Sequence, residues 1–135
     1  MTHHPFVAAL RLTSLARYIS YVAKDVLPEI MDISPIEAIP AALRYAGLKH
    51  SDFDWFELNE AFAAQSLAVI YTLGLDAAKV NPMGGAIVLG LPLGATGAIR
   101  SATLIHALHR PQLKYGMVTM YVGMGQGVAG IFEHV

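Results

Sequence analysis

Residues 84–97, with the sequence GGAIVLGLPLGATG, are the stretch around which this chain is organised. Five glycines in fourteen residues predict a backbone that turns sharply or is closely approached, because glycine loses the most conformational entropy on folding. The stretch follows a strand-like segment and precedes a helix that we expect to begin near Pro92. α/β proteins place ligands at such positions. Residues 86–93 carry no acid, base or nucleophile, so the loop has the form of a site without its own chemistry.

The composition of the 135-residue chain predicts a surface that another molecule covers. Hydrophobic residues make up 55% of the chain and charged residues 14%, whereas soluble proteins average about half and a quarter. A small domain cannot hide all of this apolar surface by itself, so we expect part of it to contact a partner protein. The formal net charge of -1 gives no electrostatic reason to expect nucleic acid or an anionic membrane as a partner.

Cysteine and histidine usage argues against metal and thiol chemistry. The chain contains no cysteine, which excludes disulfides, thiolate metal sites and thiol catalysis by its own residues. Of its six histidines, only His106 and His109 have helical i, i+3 spacing, and no acidic residue follows at a ligand-like interval. We therefore predict structural histidines and no metal site.

Two segments have some features of a membrane span or a targeting sequence. Residues 80–99 are uncharged and long enough for a membrane span, but their glycines and prolines favour a buried loop and a helix start. The N-terminus lacks the pattern of a secretory signal. Arg11 and Arg17 precede the first acidic residue, Asp25, which faintly resembles a transit peptide. We expect a cytoplasmic protein, with a mitochondrial location as the alternative.

Hydrophobic patterning predicts alternating strands and helices. The first helix is expected to begin at a capping box, Ser34 to Glu37, and to end at Gly47, with a disturbance at Pro40. A second helix is expected to begin at Asn59 and to end at Gly74. Strands are expected at residues 15–23, 53–58, 117–122 and 128–133, a strand-like lead at 77–80, and a third helix at 92–109.

Side-chain directions follow from the same patterns. In the second helix Phe62, Leu67, Ile70 and Leu73 are expected to face inward, and Arg100 is expected on the solvent side of the third. The element order predicts an α/β layer fold with a mostly parallel sheet and an antiparallel strand at its end. Residues 1–14 are expected to be loosely ordered, and residues 15–135 to form one domain.

Two motifs admit both a structural and a functional interpretation. Residues 125–130 match the GxGxxG dinucleotide pattern, but that glycine turn must open a helix, so a glycine hairpin between two strands is favoured. Asn59 and Glu60 end a strand, and an N-cap with an acid near the helix dipole explains both. The functional alternative is a polar pair at the carboxyl edge of the sheet that orients a water or a carbonyl.

Hydroxyl side chains indicate function less clearly than these two motifs do. No histidine lies at a recognisable triad spacing from the candidate nucleophiles, which are Ser66, Thr96 and Ser101. The tyrosines are interpreted as packing residues, except that Tyr121 faces the glycine turn and stays open as a functional residue.

Three blocks in register resemble the thiolase family of acetyl-CoA acyltransferases. They are FELNEAFA at residues 56–63, GGAIVLGLPLG at 84–94 and VTMYVGMG at 118–125. Their order and spacing are similar to the C-terminal half of a thiolase, and the resemblance runs from residue 15 to residue 133. It implies a βαβαβαββ half with a five-stranded mixed sheet and helices on its faces. It also implies assembly into homo-oligomers.

The resemblance implies acyl-transfer chemistry of lipid metabolism. Thiolases condense acyl-CoA thioesters or cleave 3-ketoacyl-CoA by thiolysis. A cysteine from the N-terminal half carries the acyl group, a Gly-His-Pro histidine activates it, and a Cys-x-Gly cysteine exchanges the substrate proton. A coenzyme A thioester is therefore the expected ligand, and no further cofactor is expected.

Carried over by position, only part of the family's catalytic set is present. Asn59 matches the asparagine that holds a water for an oxyanion hole, and Gly123 matches the glycine whose backbone N–H helps to bind the thioester oxygen. Leu91 stands at the histidine position and Tyr121 at the cysteine position. The resemblance also implies substrate contacts at Met31, Ala61 and Phe62.

These substitutions define the hypotheses. Leucine cannot accept a proton, and a tyrosine of pKa about 10 is a poor substitute for a thiol near pH 7. We expect no thiolase turnover from the isolated chain, which would make it a pseudoenzyme or a binding module. The alternative is an acyltransferase subunit that needs a separate N-terminal-half chain, although such a partner could not restore Leu91 or Tyr121. A truncated product without a selected role is the third hypothesis.

Overall fold

A computed structural model describes residues 9–110 and 113–135. The strands are β1 (Ala16–Asp25), β2 (Trp55–Leu58), β3 (Tyr115–Gly123) and β4 (Gln126–His134). The α-helices are α1 (Pro35–Ala46), α2 (Ala63–Leu73), α3 (Ala86–Leu89) and α4 (Thr96–His109). Short 3-10 turns lie at Pro28–Ile33, His50–Asp52, Ala77–Lys79 and Leu93–Ala95. Residues 1–8 of the segment predicted to be loosely ordered lie outside the described residues, and the domain boundary at residue 15 stays a prediction.

The sheet is mixed, with the strand order β1-β4-β3-β2. Only β2 and β3 pair in parallel, whereas β1 and β3 both pair antiparallel with β4. The predicted α/β class with a mixed sheet is confirmed. The expectation of a mostly parallel sheet is wrong, because β1 pairs with the last strand of the chain rather than with β2.

The predicted fifth strand is replaced by a turn. Among the described residues the sheet has four strands, and residues 77–80 add only one parallel bridge, between Val80 and Phe56. The Asp76 carboxylate accepts a hydrogen bond from the Ala78 N–H and starts a 3-10 turn there. Asn81 then bonds both the N–H and the carbonyl of Leu58 with its side chain, at 2.9 and 2.8 Å. A further strand at the edge of β2 would need these same two backbone groups for its hydrogen bonds.

Two hydrophobic clusters pack on opposite faces of the sheet. Successive residues of one strand belong to different clusters, because side chains alternate between the two faces of the sheet along a strand. Met117 lies with α1 and α2, and Val118 lies with α4. The same alternation in β2 sends Phe56 to the first cluster and Trp55 to the second. β2 is therefore buried along its whole length, which holds its carboxyl end in a well-defined position.

The helix boundaries correct two predicted caps. The Ser34 side chain makes no capping hydrogen bond, because the 3-10 turn at Pro28–Ile33 leads directly into α1 and leaves Ser34 with helical dihedral angles. Asn59 is not a cap either, since its Oδ1 accepts no hydrogen bond from the described residues and α2 begins only at Ala63. Pro40 lies inside α1 without ending it. Gly47 and Gly74 end α1 and α2 in left-handed conformations, as predicted.

The inward face of α2 also differs from the prediction. Ile70 and Leu73 pack against the core as expected, whereas Phe62 and Leu67 are exposed. Phe62 precedes the helix in an extended conformation, and Leu67 lies on the opposite face from the buried residues, which are Gln65, Ser66 and Val69. The helix thus presents a more polar face to the interior than its sequence suggests.

The last two strands form the predicted hairpin. Gly123, Met124 and Gly125 all have positive φ angles, which a tight turn between β3 and β4 requires. The structural interpretation of the glycine motif is confirmed, because the chain continues into a strand and not into a helix. Within residues 9–110 and 113–135, no helix combines the length and apolar character needed to cross a membrane.

Candidate functional site

The site lies where the parallel strands β2 and β3 end side by side. Leu58, the last residue of β2, pairs with Thr119. Asn59, which follows it, donates its N–H to the Thr119 carbonyl. Because the carboxyl ends of parallel strands open at one edge, the residues that follow them enclose a shared space. The strand pairing therefore brings Asn59 next to the last residues of β3.

A cavity of about 430 Å³ occupies this edge. Its walls come from the end of β2, the loop before α4 and the end of β3. The lining residues are Asn59, Ala61, Leu91, Leu93, Thr96, Met120, Tyr121, Val122 and Gly123. Among the residues singled out from the sequence, Asn59, Ala61, Leu91, Thr96, Tyr121 and Gly123 meet here. Met31 and Phe62 are not among the lining residues, and both side chains are exposed.

Gly90 lets the glycine-rich loop reach this cavity. Helix α3 ends when the Gly90 N–H bonds the Ala86 carbonyl at 2.8 Å. Gly90 then takes a φ of 90° and a ψ of 163°, a combination that is essentially restricted to glycine. The chain turns there and presents Leu91 to the cavity. The sharp turn predicted from the glycine content is therefore present at this position.

Asn59 supplies the main unused polar group of the cavity. Its side chain is only 5% exposed, and its Oδ1 atom has no hydrogen-bond partner in the described chain. Buried polar atoms are almost always bonded, so an unbonded amide oxygen on a cavity-lining residue calls for a partner such as an ordered water or a ligand. The structure gives Asn59 a place in the site in addition to its bond to β3.

Tyr121 is a hydrogen-bonding group that keeps its proton. Burial raises the pKa of the Tyr121 phenol above its ordinary value, and the negative charge of the nearby Asp32 carboxylate raises the pKa further. The phenol is therefore neutral throughout the physiological range and can donate a hydrogen bond. Leu91 beside it offers only hydrocarbon.

A buried ion pair lies behind Asn59 and corrects the prediction for Arg100. Arg100 is 2% exposed, and its Nη1 lies 3.2 Å from Oε2 of Glu57, which is itself fully buried. Trp55 Nε1 donates to the other carboxylate oxygen of Glu57 at 2.7 Å. Burial raises the pKa of Glu57, and the bonds from Trp55 and Arg100 oppose that rise. Arg100 also faces a small pocket shared with Asn59 and Leu91.

Sequence reasoning missed the Glu57–Arg100 pair, although a signal was present. Glu57 stands in the otherwise apolar strand Trp55–Leu58, and Arg100 follows a run of small and apolar residues in α4. A charge at a position where the pattern demands burial needs a partner. The two residues are 43 positions apart, so only the tertiary structure identifies them as partners.

Glu60 binds the glycine-rich loop instead of a helix end. Its Oε1 accepts from Asn81 Nδ2 at 2.8 Å, and its Oε2 accepts from the backbone N–H of Ile87 at 3.1 Å. The interpretation of Glu60 as a residue of a helix first turn is therefore wrong. The carboxylate instead connects the chain after β2 to the start of α3.

The other candidates from the sequence do not form a catalytic cluster. Of the described residues, no histidine lines the cavity, and Ser66 and Ser101 are not among its lining residues. His109 donates from Nε2 to the Leu15 carbonyl, and its Nδ1 lies 3.1 Å from Nε2 of His134. In the described part of the chain, no three His, Asp or Glu side chains are grouped to hold a metal ion.

Comparisons with known proteins agree with this architecture. The family model of the thiolase C-terminal domain matches residues 12–134. The chain is 51% identical over 125 residues to a 3-ketoacyl-CoA thiolase of Bacillus subtilis, covering 93% of this chain and 32% of that protein. It is 52% identical over 124 residues to a beta-ketothiolase of Cupriavidus necator, covering 92% and 32%. The chain thus spans about a third of the length of these relatives.

Solved structures give the same result. Human mitochondrial 3-ketoacyl-CoA thiolase superposes with a TM-score of 0.94 at 45% identity, over 96% of this chain and 33% of that one. The peroxisomal thiolase of Saccharomyces cerevisiae gives a TM-score of 0.91 at 47% identity, over 96% and 37%. The matching family model and these similarities lead to one assignment. The chain belongs to the thiolase family and corresponds to its C-terminal domain.

Proposed function

We propose that this chain binds a coenzyme A thioester in the cavity at the end of β2 and β3 and does not catalyse thiolysis. One observation carries the proposal: Asn59 and Gly123 line the same cavity as Leu91 and Tyr121. Asn59 matches the family asparagine that holds a water for an oxyanion hole, and Gly123 matches the glycine whose N–H helps to bind the thioester oxygen. Leu91 and Tyr121 stand at family positions for proton transfer. The arrangement would keep the binding geometry of a thiolase without its acid and base.

Ligand binding is supported by the free acceptor of Asn59 and by the apolar wall around it. The Asn59 Oδ1 atom is buried and unbonded in the described chain, and Ala61, Leu93 and Val122 provide hydrocarbon surface. One solved relative, human mitochondrial 3-ketoacyl-CoA thiolase, is described in complex with CoA and superposes on this chain with a TM-score of 0.94. Met31 and Phe62, exposed near the surface, are proposed as outer contacts of such a ligand.

The absence of turnover follows from the chemistry of the lining residues. A nucleophile is activated by a base within hydrogen-bond reach, and general acid–base catalysis contributes typically 10²–10⁴-fold in rate. Within residues 9–110 and 113–135, no histidine, aspartate or glutamate lines the cavity. The raised pKa of Tyr121 makes its phenol a weaker acid and leaves even less of the phenolate, the form that could accept a proton, near pH 7.

An open sheet face supports a protein partner. A groove of about 320 Å³ runs beside α4 over the face of β1, β3 and β4, and Tyr18 and Tyr21 are each 55% exposed along it. The Saccharomyces cerevisiae relative is described as five layered and built from two core domains of identical topology. We propose that an N-terminal thiolase half, or a second copy of this chain, covers the groove.

The same face supports the second candidate function, an acyltransferase subunit that is active only with a separate N-terminal-half chain. Such a half would supply the missing cysteine. It would not change Leu91 or Tyr121, which is why the binding role is preferred. The cytoplasmic location stays a prediction, since relatives at 51% and 45% identity are described as peroxisomal and mitochondrial.

A pair of measurements on the purified chain tests the proposal. Calorimetry with acetyl-CoA is expected to show binding, and acetoacetyl-CoA thiolysis is expected to stay at background. Asn59→Ala should weaken binding, while Arg17→Gln, an exposed change on β1, should leave binding unchanged. Turnover by the chain alone would refute the pseudoenzyme role, and absence of both binding and turnover would leave an interaction role.

Two further experiments distinguish the binding role from the acyltransferase subunit. Turnover that appears only after adding the separately purified N-terminal half of a thiolase relative would establish the acyltransferase subunit. The double change Leu91→His and Tyr121→Cys is expected to give no turnover in the chain alone, because it restores the proton-transfer groups but not the nucleophile.

A further inference from the structure

We propose that Glu57 and Glu60, the two carboxylates on either side of Asn59, are positioning residues that hold the two ends of the glycine-rich loop against β2. Neither carboxylate is among the described residues that line the cavity, so the role assigned to both is to position the loop rather than to contact the ligand. The effect of these two contacts on ligand binding rests on the proposed function, whereas their effect on the order of the loop does not.

The Glu60 carboxylate holds the first end of the loop. It accepts one hydrogen bond from the Ile87 backbone N–H and one from the Asn81 side chain. Asn81 itself is only 7% exposed and is bonded to both backbone groups of Leu58. The start of α3 is thus connected to β2 through two successive side chains, each using hydrogen bonds with good geometry.

Gly85 is the residue that makes this contact possible. A methyl group at Gly85 would overlap all three atoms of the Glu60 carboxyl group. The backbone at Gly85 has a φ of -100°, which other residues adopt without strain, so the glycine is required for close approach and not for its dihedral angle. The position therefore offers a way to displace Glu60 without removing it.

The Glu57 carboxylate holds the second end of the loop through Arg100. Arg100 lies one turn inside α4, directly after the segment that carries Leu91 to Thr96. Its guanidinium pairs with Glu57 in a fully buried contact and borders the small pocket beside Leu91 and Asn59. The residues between Ile87 and Arg100 are therefore fastened to β2 at both ends, and Leu91 lies between the two contacts.

The test is amide hydrogen exchange within the loop, measured by NMR. Three loop amides are protected by local hydrogen bonds that the contacts should support, those of Leu89, Gly90 and Ala95. In Glu60→Ala, exchange at Leu89 and Gly90 is expected to rise about tenfold, the effect of losing charge-assisted hydrogen bonds. Arg100→Met is expected to raise exchange at Ala95 similarly. Amides of β3 should not change in Glu60→Ala, and in Arg100→Met they should exchange faster only by the factor that its lower free energy of unfolding accounts for.

Arg17→Gln is the matched control, because it breaks an ion pair of equal length, 3.2 Å, on the exposed side of β1. It should leave the loop amides as in the unmodified chain. Equal acceleration in β3 and in the loop, or no acceleration in the loop, would overturn the positioning role. Should Arg100→Met not fold, Glu60→Ala still decides the question for the first end.

A double-mutant cycle provides a second readout. Gly85→Ala is expected to raise loop exchange about as much as Glu60→Ala, since it displaces the same carboxylate. Adding Gly85→Ala to Glu60→Ala should then have little further effect. Fully additive effects would show that Gly85 and Glu60 do not act through one contact.

Ligand affinity is measured on the same variants. Glu60→Ala is expected to weaken acetyl-CoA binding about tenfold through the misplaced loop, with the fold unchanged by circular dichroism. If the unmodified chain does not bind acetyl-CoA, the proposed function fails while the exchange data still decide the positioning role. If binding is retained in full while the loop exchanges faster, the positioning role in binding is refuted.

Discussion

Two ion pairs of the molecule have the same length and different surroundings. Arg17 and Glu133 lie 3.2 Å apart between β1 and β4, with the arginine side chain 53% exposed. Arg100 and Glu57 also lie 3.2 Å apart, but their side chains are 3% and 0% exposed. The comparison shows that distance alone does not determine what a charge pair contributes. The exposed pair is screened by water, whereas each partner of the buried pair depends on the other to offset its desolvation.

The sharpest way to test this comparison is to remove the buried acid. Glu57→Ala leaves the Arg100 guanidinium buried without a counter-charge, and arginine does not lose its proton in proteins. We expect the free energy of unfolding to fall by about 3–5 kcal/mol, or the chain to fail to fold. Urea denaturation followed by circular dichroism measures the change. A loss below about 1 kcal/mol would mean that the pair behaves like a surface pair.

Removing the buried base should have a smaller and pH-dependent effect. In Arg100→Met the Glu57 carboxyl can take up a proton, because burial already raises its pKa. A carboxyl whose pKa is higher in the folded state contributes stability below its unfolded pKa, and that contribution is lost as pH rises through its folded pKa. The deficit relative to the unmodified chain should therefore be smallest near pH 4.5 and grow toward pH 7.5.

Urea denaturation at several pH values between these limits checks the Arg100→Met prediction. Arg17→Gln, measured in parallel, corrects for titration elsewhere in the chain, since it leaves Glu57 and Arg100 in place. A deficit that stays constant over this range would show that Glu57 does not change its protonation in the variant.

The smallest effect is expected at the exposed pair. Arg17→Gln should lower the free energy of unfolding by about 0.2–1 kcal/mol, and high salt should remove most of that difference by screening. Thermal unfolding at low and high ionic strength measures it. A cost as large as that of Glu57→Ala would remove the distinction between the two pairs.

Those parts of the candidate site that depend on single residues and short motifs were predictable from the sequence. Sharp turns were expected within residues 84–97 and between β3 and β4 because glycine tolerates positive φ angles, and the structure has one at Gly90 and one at the hairpin. Asn59, Leu91, Tyr121 and Gly123 were singled out in three separate blocks, and they meet at one cavity. The roles of Glu60 and Arg100 were mistaken, because each depends on a partner remote in sequence.

The fold shows the same division. The α/β class followed from local periodicity, whereas the sheet order and the loss of the fifth strand did not, because β1 pairs with β4 across the chain and Asn81 occupies the edge of β2. Sequence alone determined which residues turn the backbone and which positions carry no proton-transfer group, since these properties belong to single residues. The tertiary structure decided which charges are buried and which loop ends are held, because burial and hydrogen bonding depend on neighbours that only folding brings together.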